Sequence, residues 1–359
     1  MDSSSIKNMT KSLPHVAEEE EETHSKFEKL ISTLPKAKRW NDSLDLYQYQ
    51  GFWYPFSMLQ YIISIQENFK SSTNDIYVCC APKTGCTWLK ALCYAIATRD
   101  RFIMENSPLI THLPHVLIPL LEFGLATNPT NDTPLIATHL PFIALPKSVQ
   151  SLQGTKMIYL CREPKDTFIS LWHFMHRFKW LQQGESNETI GVLSFEKEFE
   201  LFCEGKTIWG PYWDHVLGYW KESLDKPESL LFLKYEELTK DTLFYVRKLA
   251  DFMGKPFSRD EEGEGVPERI VKLCSFDNLS NLEVIKNGKT QSIASLQIDN
   301  SAFFRKGKPG DWKNHLTSSM IERMDLITEE KLRGSSFKFG VSTTTSSTTN
   351  SQAKNYFVL

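Results

Sequence analysis

The chain has 359 residues, 41% of them hydrophobic and 24% charged, with a formal net charge of −3. That length builds one large α/β domain or two small ones, and the lack of a basic excess argues against nucleic acid as a partner. The seven cysteines are Cys79, Cys80, Cys86, Cys93, Cys161, Cys203 and Cys274. Their odd number, their apolar settings and the absence of a Cys-x-x-Cys pair predict free thiols in a reducing compartment, with no disulfide framework and no zinc site. No apolar run reaches the length of a membrane span, and the N-terminus lacks the basic-then-apolar layout of a signal peptide. A cytoplasmic protein with no membrane contact is expected.

Residues 1–24 are polar, with five consecutive glutamates from Glu18 to Glu22, and are expected as a disordered acidic leader. Residues 25–340 then carry a single folded domain. Phe27 to Leu34 is a short amphipathic piece. Tyr47 to Tyr54 is dense in aromatics and, bracketed by Gly51 and Pro55, reads as a loop. Aromatics mostly belong to cores, but a loop this aromatic also suits the wall of an apolar substrate pocket, which would place Trp53 and Tyr54 there. Met58 to Phe69 has a helical pattern.

Ile76 to Ala81 is a short apolar run rich in β-formers, hence a buried strand. Pro82-Lys83-Thr84-Gly85-Cys86-Thr87 is a tight loop with glycine where the backbone must turn freely. Trp88 to Ala97 follows as a helix. Such a loop aims successive N–H groups at one spot, and the helix dipole adds positive potential there. That is a phosphate or sulfate site, with Lys83 and the hydroxyls of Thr84 and Thr87 as further donors. A plain strand-turn-helix with a surface lysine is the alternative. The lysine precedes the only glycine, so this is not the nucleoside-triphosphate loop.

An apolar helix-like piece runs to Leu125. Pro134 to Pro141 reads as a second strand carrying His139 at its end, and Lys156 to Cys161 as a third, with Arg162 to Asp166 as its exit loop. Thr167 to Phe178 is helical with Asp166 as N-cap. Helices are expected at 195–203, 211–223, 240–253, 267–274 and 313–332, and a fourth strand at 230–236. Asn287 to Asn300 is polar and aperiodic, a mobile loop. Residues 341–359, rich in Ser and Thr, form a disordered tail. The alternation predicts an α/β fold whose central, mainly parallel sheet is flanked by helices. In such sheets sites gather at the carboxyl ends of strands, and the Lys83 loop, His139, Arg162 and Tyr235 all fall there.

Four features carry the chemistry: the Lys83 loop; Arg162 with Ser170 a turn into the next helix; Arg305-Lys306-Gly307 within Phe304 to Trp312; and His139. Arg162 offers a planar fork and Ser170 a neutral donor to one phosphate. Arg305, Lys306 and a flexible Gly307 would wrap the same group. A strand-end histidine beside an anion site is a candidate general base. His112 has the same Thr-His-Leu-Pro neighbours. His173 and His176 are spaced i, i+3 but lack a completing ligand set, so a helix face is favoured over a metal site.

In this order and spacing the four segments resemble the plant soluble sulfotransferases over about residues 47 to 335. Pro-Lys-Thr-Gly-Cys-Thr-Trp-Leu-Lys looks like that family's 5′-phosphosulfate loop, and Arg305-Lys-Gly-x-x-Gly-Asp-Trp312 is highly specific to it. The resemblance implies transfer of a sulfuryl group from 3′-phosphoadenosine 5′-phosphosulfate (PAPS) to a hydroxyl of a small plant metabolite, flavonol-like or hydroxyjasmonate-like, without a metal. By motif match Lys83, Thr84, Gly85, Cys86, Thr87 and Trp88 line the 5′ end. Arg162, Ser170, Arg305, Lys306 and Gly307 hold the 3′-phosphate, and Tyr235 with Cys274, Ser275 and Phe276 contacts adenine. His139, which fits the family's position better than His112, is the base, and Lys83 is catalytic beside it.

The chain departs from the family where Cys86 replaces threonine and Ala137 stands where animal members often carry lysine. It also has Ser318 for valine in a string resembling the animal dimerisation motif, which predicts a monomer or weak homodimer. A donor-binding protein without turnover competes as a reading: Cys86 favours it, and intact Lys83 and His139 oppose it. A nucleotide kinase is opposed by the missing Gly-Lys-Ser/Thr string.

Overall fold

A computed structural model describes residues 27–39, 44–102, 104–123, 133–151, 154–177, 193–291 and 297–340. The expected acidic leader and Ser/Thr-rich tail lie outside the described residues. The central sheet contains β4 (Ile76–Cys80), β5 (Leu135–Thr138), β6 (Lys156–Cys161) and β7 (Leu230–Lys234), in the order β5-β4-β6-β7. All three pairings are parallel. A small antiparallel sheet of β1 (Lys36–Arg39), β2 (Leu44–Tyr49) and β3 (Phe52–Pro55) precedes it.

The sheet is buried on both faces, as parallel strands with helical crossovers must be. Alternation divides the side chains between two cores. Tyr77, Cys79, Tyr159 and Cys161 enter one, beneath the Tyr212–Asp225 and Pro164–Met175 helices. Ile76, Val78, Cys80, Ile158 and Leu160 enter the other, beneath the Cys86–Thr98 and Thr242–Phe252 helices. The α/β fold read from the alternation is therefore found.

Register fixes the site. Cys79 pairs with Thr138, Cys80 with Leu160, and Cys161 with Lys234. The Lys83 loop, His139, Arg162 and Tyr235 thus leave one edge of the sheet side by side.

Several sequence expectations are corrected. The aromatic stretch is not a loop: Gln50 and Gly51, with φ of 52° and 85°, form the two-residue turn of the β2–β3 hairpin. Of the apolar piece expected as helical up to Leu125, the described residues, which end at Phe123, form a four-residue helix, Pro114–Leu117, and a 3-10 turn, Leu121–Phe123, with a bridge from Leu120 to Ala137 between them. Within the segment expected as a mobile loop, β8 (Lys289–Gln291) pairs with β9 (Gln297–Asp299). Asp166 is not an N-cap: the helix begins at Pro164, and Asp166 sits in its first turn. The helix expected at 240–253 is split at Asp241, whose side chain caps Thr242–Phe252 by accepting from Phe244 N at 3.1 Å.

Candidate active site

At the loop after β4, Lys83 has φ of 69° and Gly85 φ of 112°. The second value suits glycine only, and a Cβ there would also lie 2.7 Å from Tyr235 Cδ2. Thr84 is fully buried, and its hydroxyl lies 2.9 Å from Ala81 O and 3.1 Å from Leu160 O. The hydroxyl expected to face an anion is spent on carbonyls of Ala81, just before the loop, and of Leu160 in β6, which leaves Thr84 its backbone N–H for that purpose. Thr87, by contrast, borders the cavity.

That cavity has a volume of about 1770 Å³. Lys83, Gly85, Cys86, Thr87, Trp88, His139, Arg162, Ser170, Tyr235, Cys274, Ser275, Phe276, Arg305, Lys306 and Gly307 all border it. Trp53 and Tyr54 do not. They lie in β3, where Tyr54 packs in the core and Trp53 exchanges backbone hydrogen bonds with Trp209 and Gly210. The pocket reading of that pair is corrected: the wall comes from Phe56, Met58 and Tyr61, in the helix that follows.

His139 is held at three points. Its backbone N–H donates to Glu122 Oε1 at 2.8 Å, and Glu122 Oε2 also accepts from Thr138 Oγ1 at 2.9 Å. Its Nδ1 lies 2.8 Å from Cys80 O, which only accepts, so the proton is on Nδ1 and the Nε2 lone pair is free. The ring packs edge-on to Trp209 at 5.4 Å. Burial pulls its pKa down to about 3, so the imidazole is neutral. Behind it Tyr159 OH donates to His215 Nδ1 at 2.9 Å, and His215 Nε2–H donates to His139 O at 2.9 Å. His112 is exposed, hydrogen-bonded to Thr111, and absent from the cavity.

Lys83 Nζ sits 3.7 Å over the Phe174 ring. Burial, with Arg162, Arg177 and Arg305 nearby, draws its pKa down to about 7. Arg162 is buried, lies 4.5 Å over the Tyr235 ring, and donates to Lys308 O at 3.1 Å. Arg305 pairs with Asp311, and Lys306 Nζ reaches the same carboxylate at 2.5 Å. Burial pushes the Asp311 carboxyl up, but hydrogen bonds from Lys306 and Arg305 outweigh it and hold the group well below the usual carboxylate range. Asp166 accepts from the backbone N–H groups of Gly310 at 2.6 Å and Trp312 at 3.2 Å, tying this loop to the Pro164 helix. Gly307, with φ of 63°, passes so close to Phe276 that a Cβ would lie 2.4 Å from its ring. Ser275 Oγ caps the next helix, accepting from Asn278 N at 3.2 Å.

The Nε atoms of Arg162 and Arg305 are buried and have no hydrogen-bond partner. Buried donors are normally satisfied. Both arginines border the cavity, and two guanidinium groups with bonding capacity to spare fit an anion with several oxygens, as the 3′-phosphate of a nucleotide would be.

Sequence reasoning missed His115, Lys90, Glu122, His215 and Trp209. Lys90 Nζ lies 3.1 Å from His115 Nδ1 and 3.0 Å from Ile118 O, and His115 Nε2 lies 2.9 Å from Thr87 Oγ1. A buried lysine within an apolar helix was the available signal. Cys80, Cys86 and His139 present ligand-type atoms all within 4.8 Å of one another. No such group forms around His173 and His176 among the described residues. All seven cysteines are free thiols.

A family model described as a sulfotransferase domain matches residues 73–336. Cytosolic sulfotransferase 16 of Arabidopsis thaliana is 44% identical over 87% of this chain and 92% of its own length. Flavonol 4′-sulfotransferase of Flaveria chlorifolia is 44% identical over 87% of this chain and 97% of its own. Among solved structures, a putative steroid sulphotransferase of Arabidopsis thaliana superposes with a TM-score of 0.65 at 36% identity, covering 87% of this chain and 94% of that one. A mouse sulfotransferase complexed with PAP gives 0.60 at 26% identity, with coverages of 81% and 96%.

Proposed function

Since the chain belongs to the sulfotransferase family and is itself a sulfotransferase, we propose that it moves a sulfuryl group from PAPS to a hydroxyl of a small, flat, partly apolar plant metabolite, flavonol-like or hydroxyjasmonate-like. The observation that carries this is one cavity bordered by the free Nε2 of His139, by Lys83, and by the two arginines with unpartnered Nε–H groups. Its other wall, built from Phe56, Met58, Tyr61, Val116 and Leu120, supports an apolar acceptor. The relatives' names, flavonol sulfotransferases among them, support the class.

PAPS supplies the sulfuryl group on a mixed anhydride whose leaving group is a phosphate oxygen. Arg162 and Arg305 would hold the 3′-phosphate and Lys83 with the loop N–H groups the 5′ end. Neutral His139 receives the acceptor's hydroxyl proton at Nε2, while Nδ1–H stays on Cys80 O and stabilises the imidazolium. Lys83, once an anion restores its full charge, offsets charge on the leaving oxygen. The protein is proposed to act in the cytoplasm, as its relatives' names suggest. No described helix is long and apolar enough to cross a membrane.

The test is incubation with PAPS and a panel of flavonols, hydroxyjasmonate, brassinosteroids and desulfoglucosinolates. Sulfated product that falls about 10²- to 10⁴-fold in His139→Ala and is retained in His112→Ala is the expected result. Binding of 3′-phosphoadenosine 5′-phosphate (PAP) without turnover on any acceptor would favour a donor-binding protein instead.

A further inference from the structure

We propose that Lys90 and His115 form a directed hydrogen-bond chain that fixes the Thr87 hydroxyl as a proton donor toward an anionic oxygen in the cavity, a 5′-phosphosulfate oxygen of the nucleotide. This rests on the donor-site reading above and adds two positioning residues to it.

Lys90 is fully buried in the Cys86–Thr98 helix, where every other residue from Leu89 to Thr98 is also buried. Methionine would fill that space without the cost of desolvating a charge. The ammonium has instead two dedicated acceptors: Ile118 O at 3.0 Å and His115 Nδ1 at 3.1 Å.

Burial draws the Lys90 pKa down from its ordinary value; in its charged form the ammonium has three protons and no lone pair. His115 Nδ1 must therefore accept, and the proton of the neutral ring sits on Nε2. Burial supports this by holding His115 well below its ordinary range. Nε2–H then donates to Thr87 Oγ1 at 2.9 Å. With that lone pair occupied from behind, the hydroxyl proton turns elsewhere. No acceptor among the described residues takes it, and Thr87 borders the cavity beside Lys83 and Cys86. Each bond in such a chain polarises the next.

Without the charge at residue 90 the direction is no longer enforced. The ring then takes the other tautomer as easily, Nε2 becomes an acceptor, and the Thr87 proton turns inward. The anion would meet a lone pair where it had met a proton. The chain thus lets a charge too deep to touch the nucleotide set the polarity of a group that does.

The experiment compares wild type, Thr87→Ala, Lys90→Met and the double variant, measuring turnover with PAPS and calorimetric affinity for PAP. Lys90→Met and Thr87→Ala are each expected to lower kcat/KM for the donor about 10- to 100-fold. The double variant is expected to be no worse than Thr87→Ala alone within about threefold, because the chain acts only through that hydroxyl. A packing role for Lys90 would instead multiply the two losses. His115→Gln, which keeps an amide donor near the Nε2 position, should retain more activity than His115→Leu. Lys90→Met within twofold of wild type, or losses that multiply, overturns the proposal while wild-type PAP binding upholds the donor site. Failure of the wild type to bind PAP overturns the donor-site reading and this one with it.

Discussion

A Cβ at Gly85 would stand 2.7 Å from Cδ2 of Tyr235, so the loop after β4 and the helix after β7 meet at a point only glycine satisfies. The left-handed φ of 112° adds backbone strain to the clash. Gly85→Ala is expected to cost about 2–3 kcal/mol of stability and to lower PAP affinity at least tenfold, since Tyr235 and the Arg162 guanidinium above it must shift together. Thermal melts with calorimetric titration measure both. An alanine variant that binds PAP as wild type does would show that the loop tolerates the displacement.

The depressed pKa of Lys83, about 7, gives nucleotide binding a pH limb. In the free protein the ammonium is charged below about 7 and loses its proton above. PAP affinity should therefore fall as pH rises from 7 to 9, with net proton uptake on binding in that range. Lys83→Arg, which stays charged, should flatten the limb. A calorimetric pH series with buffers of differing ionisation heat reads both quantities, and a flat wild-type profile would contradict the assignment.

His139 and His215 are buried neutral, with pKa values lowered to about 3 and about 4. The unfolded chain takes up these protons near pH 6.5 and the native chain does not. Stability is therefore full above about 6.5 and is lost as pH falls toward 4, by up to about 1.4 kcal/mol per pH unit for each histidine. Urea denaturation at pH 7.5, 6.5 and 5.5 tests this in a range where most carboxylates remain ionised. Equal stability at 7.5 and 5.5 would refute it.

Arg162 and Arg305 each leave a buried Nε–H unpartnered. Lysine keeps the charge but has no Nε–H. Arg162→Lys and Arg305→Lys should each weaken PAP about 10- to 100-fold and leave affinity for AMP, which lacks the 3′-phosphate, nearly unchanged. A parallel loss for both nucleotides would mean that the arginines do not read the 3′ end.

Cys86, though buried, borders the cavity, and a hydrogen bond from the Cys80 thiol together with the Lys90 charge holds its pKa below the usual thiol value. A maleimide should inactivate the protein by modifying Cys86, with PAP protecting. Peptide mapping identifies the residue, and modification of Cys203 alone would exclude this account.

The strand-loop-helix from Ile76 to Thr98 was legible because a five-residue β run, a glycine and an apolar helix follow each other with no competing signal. His139 was legible as a strand end. The Lys90–His115–Thr87 chain was not, since its contacts span 25 and 28 residues and join a helix to a four-residue helix that has no usable periodicity. Trp53 was misread for a different reason. Gly51 marks a turn whether the flanking residues are loop or strand, and the partner that makes Phe52–Pro55 a strand lies just before the turn. Short, polar β8 and β9 carry no apolar alternation, so only their mutual pairing reveals them.

The carbonyl of Cys80 holds the His139 ring, and the next residue, Ala81, accepts from the Thr84 hydroxyl that anchors the loop. His139, proposed as the base, and the Lys83 loop therefore hang from consecutive residues, Cys80 at the end of β4 and Ala81 just beyond it. The apolar wall at Phe56, Met58 and Tyr61 comes from a helix that carries none of these groups. Substitutions in that helix would reshape the apolar wall, the proposed acceptor side, and leave the Cys80–His139 and Ala81–Thr84 contacts in place.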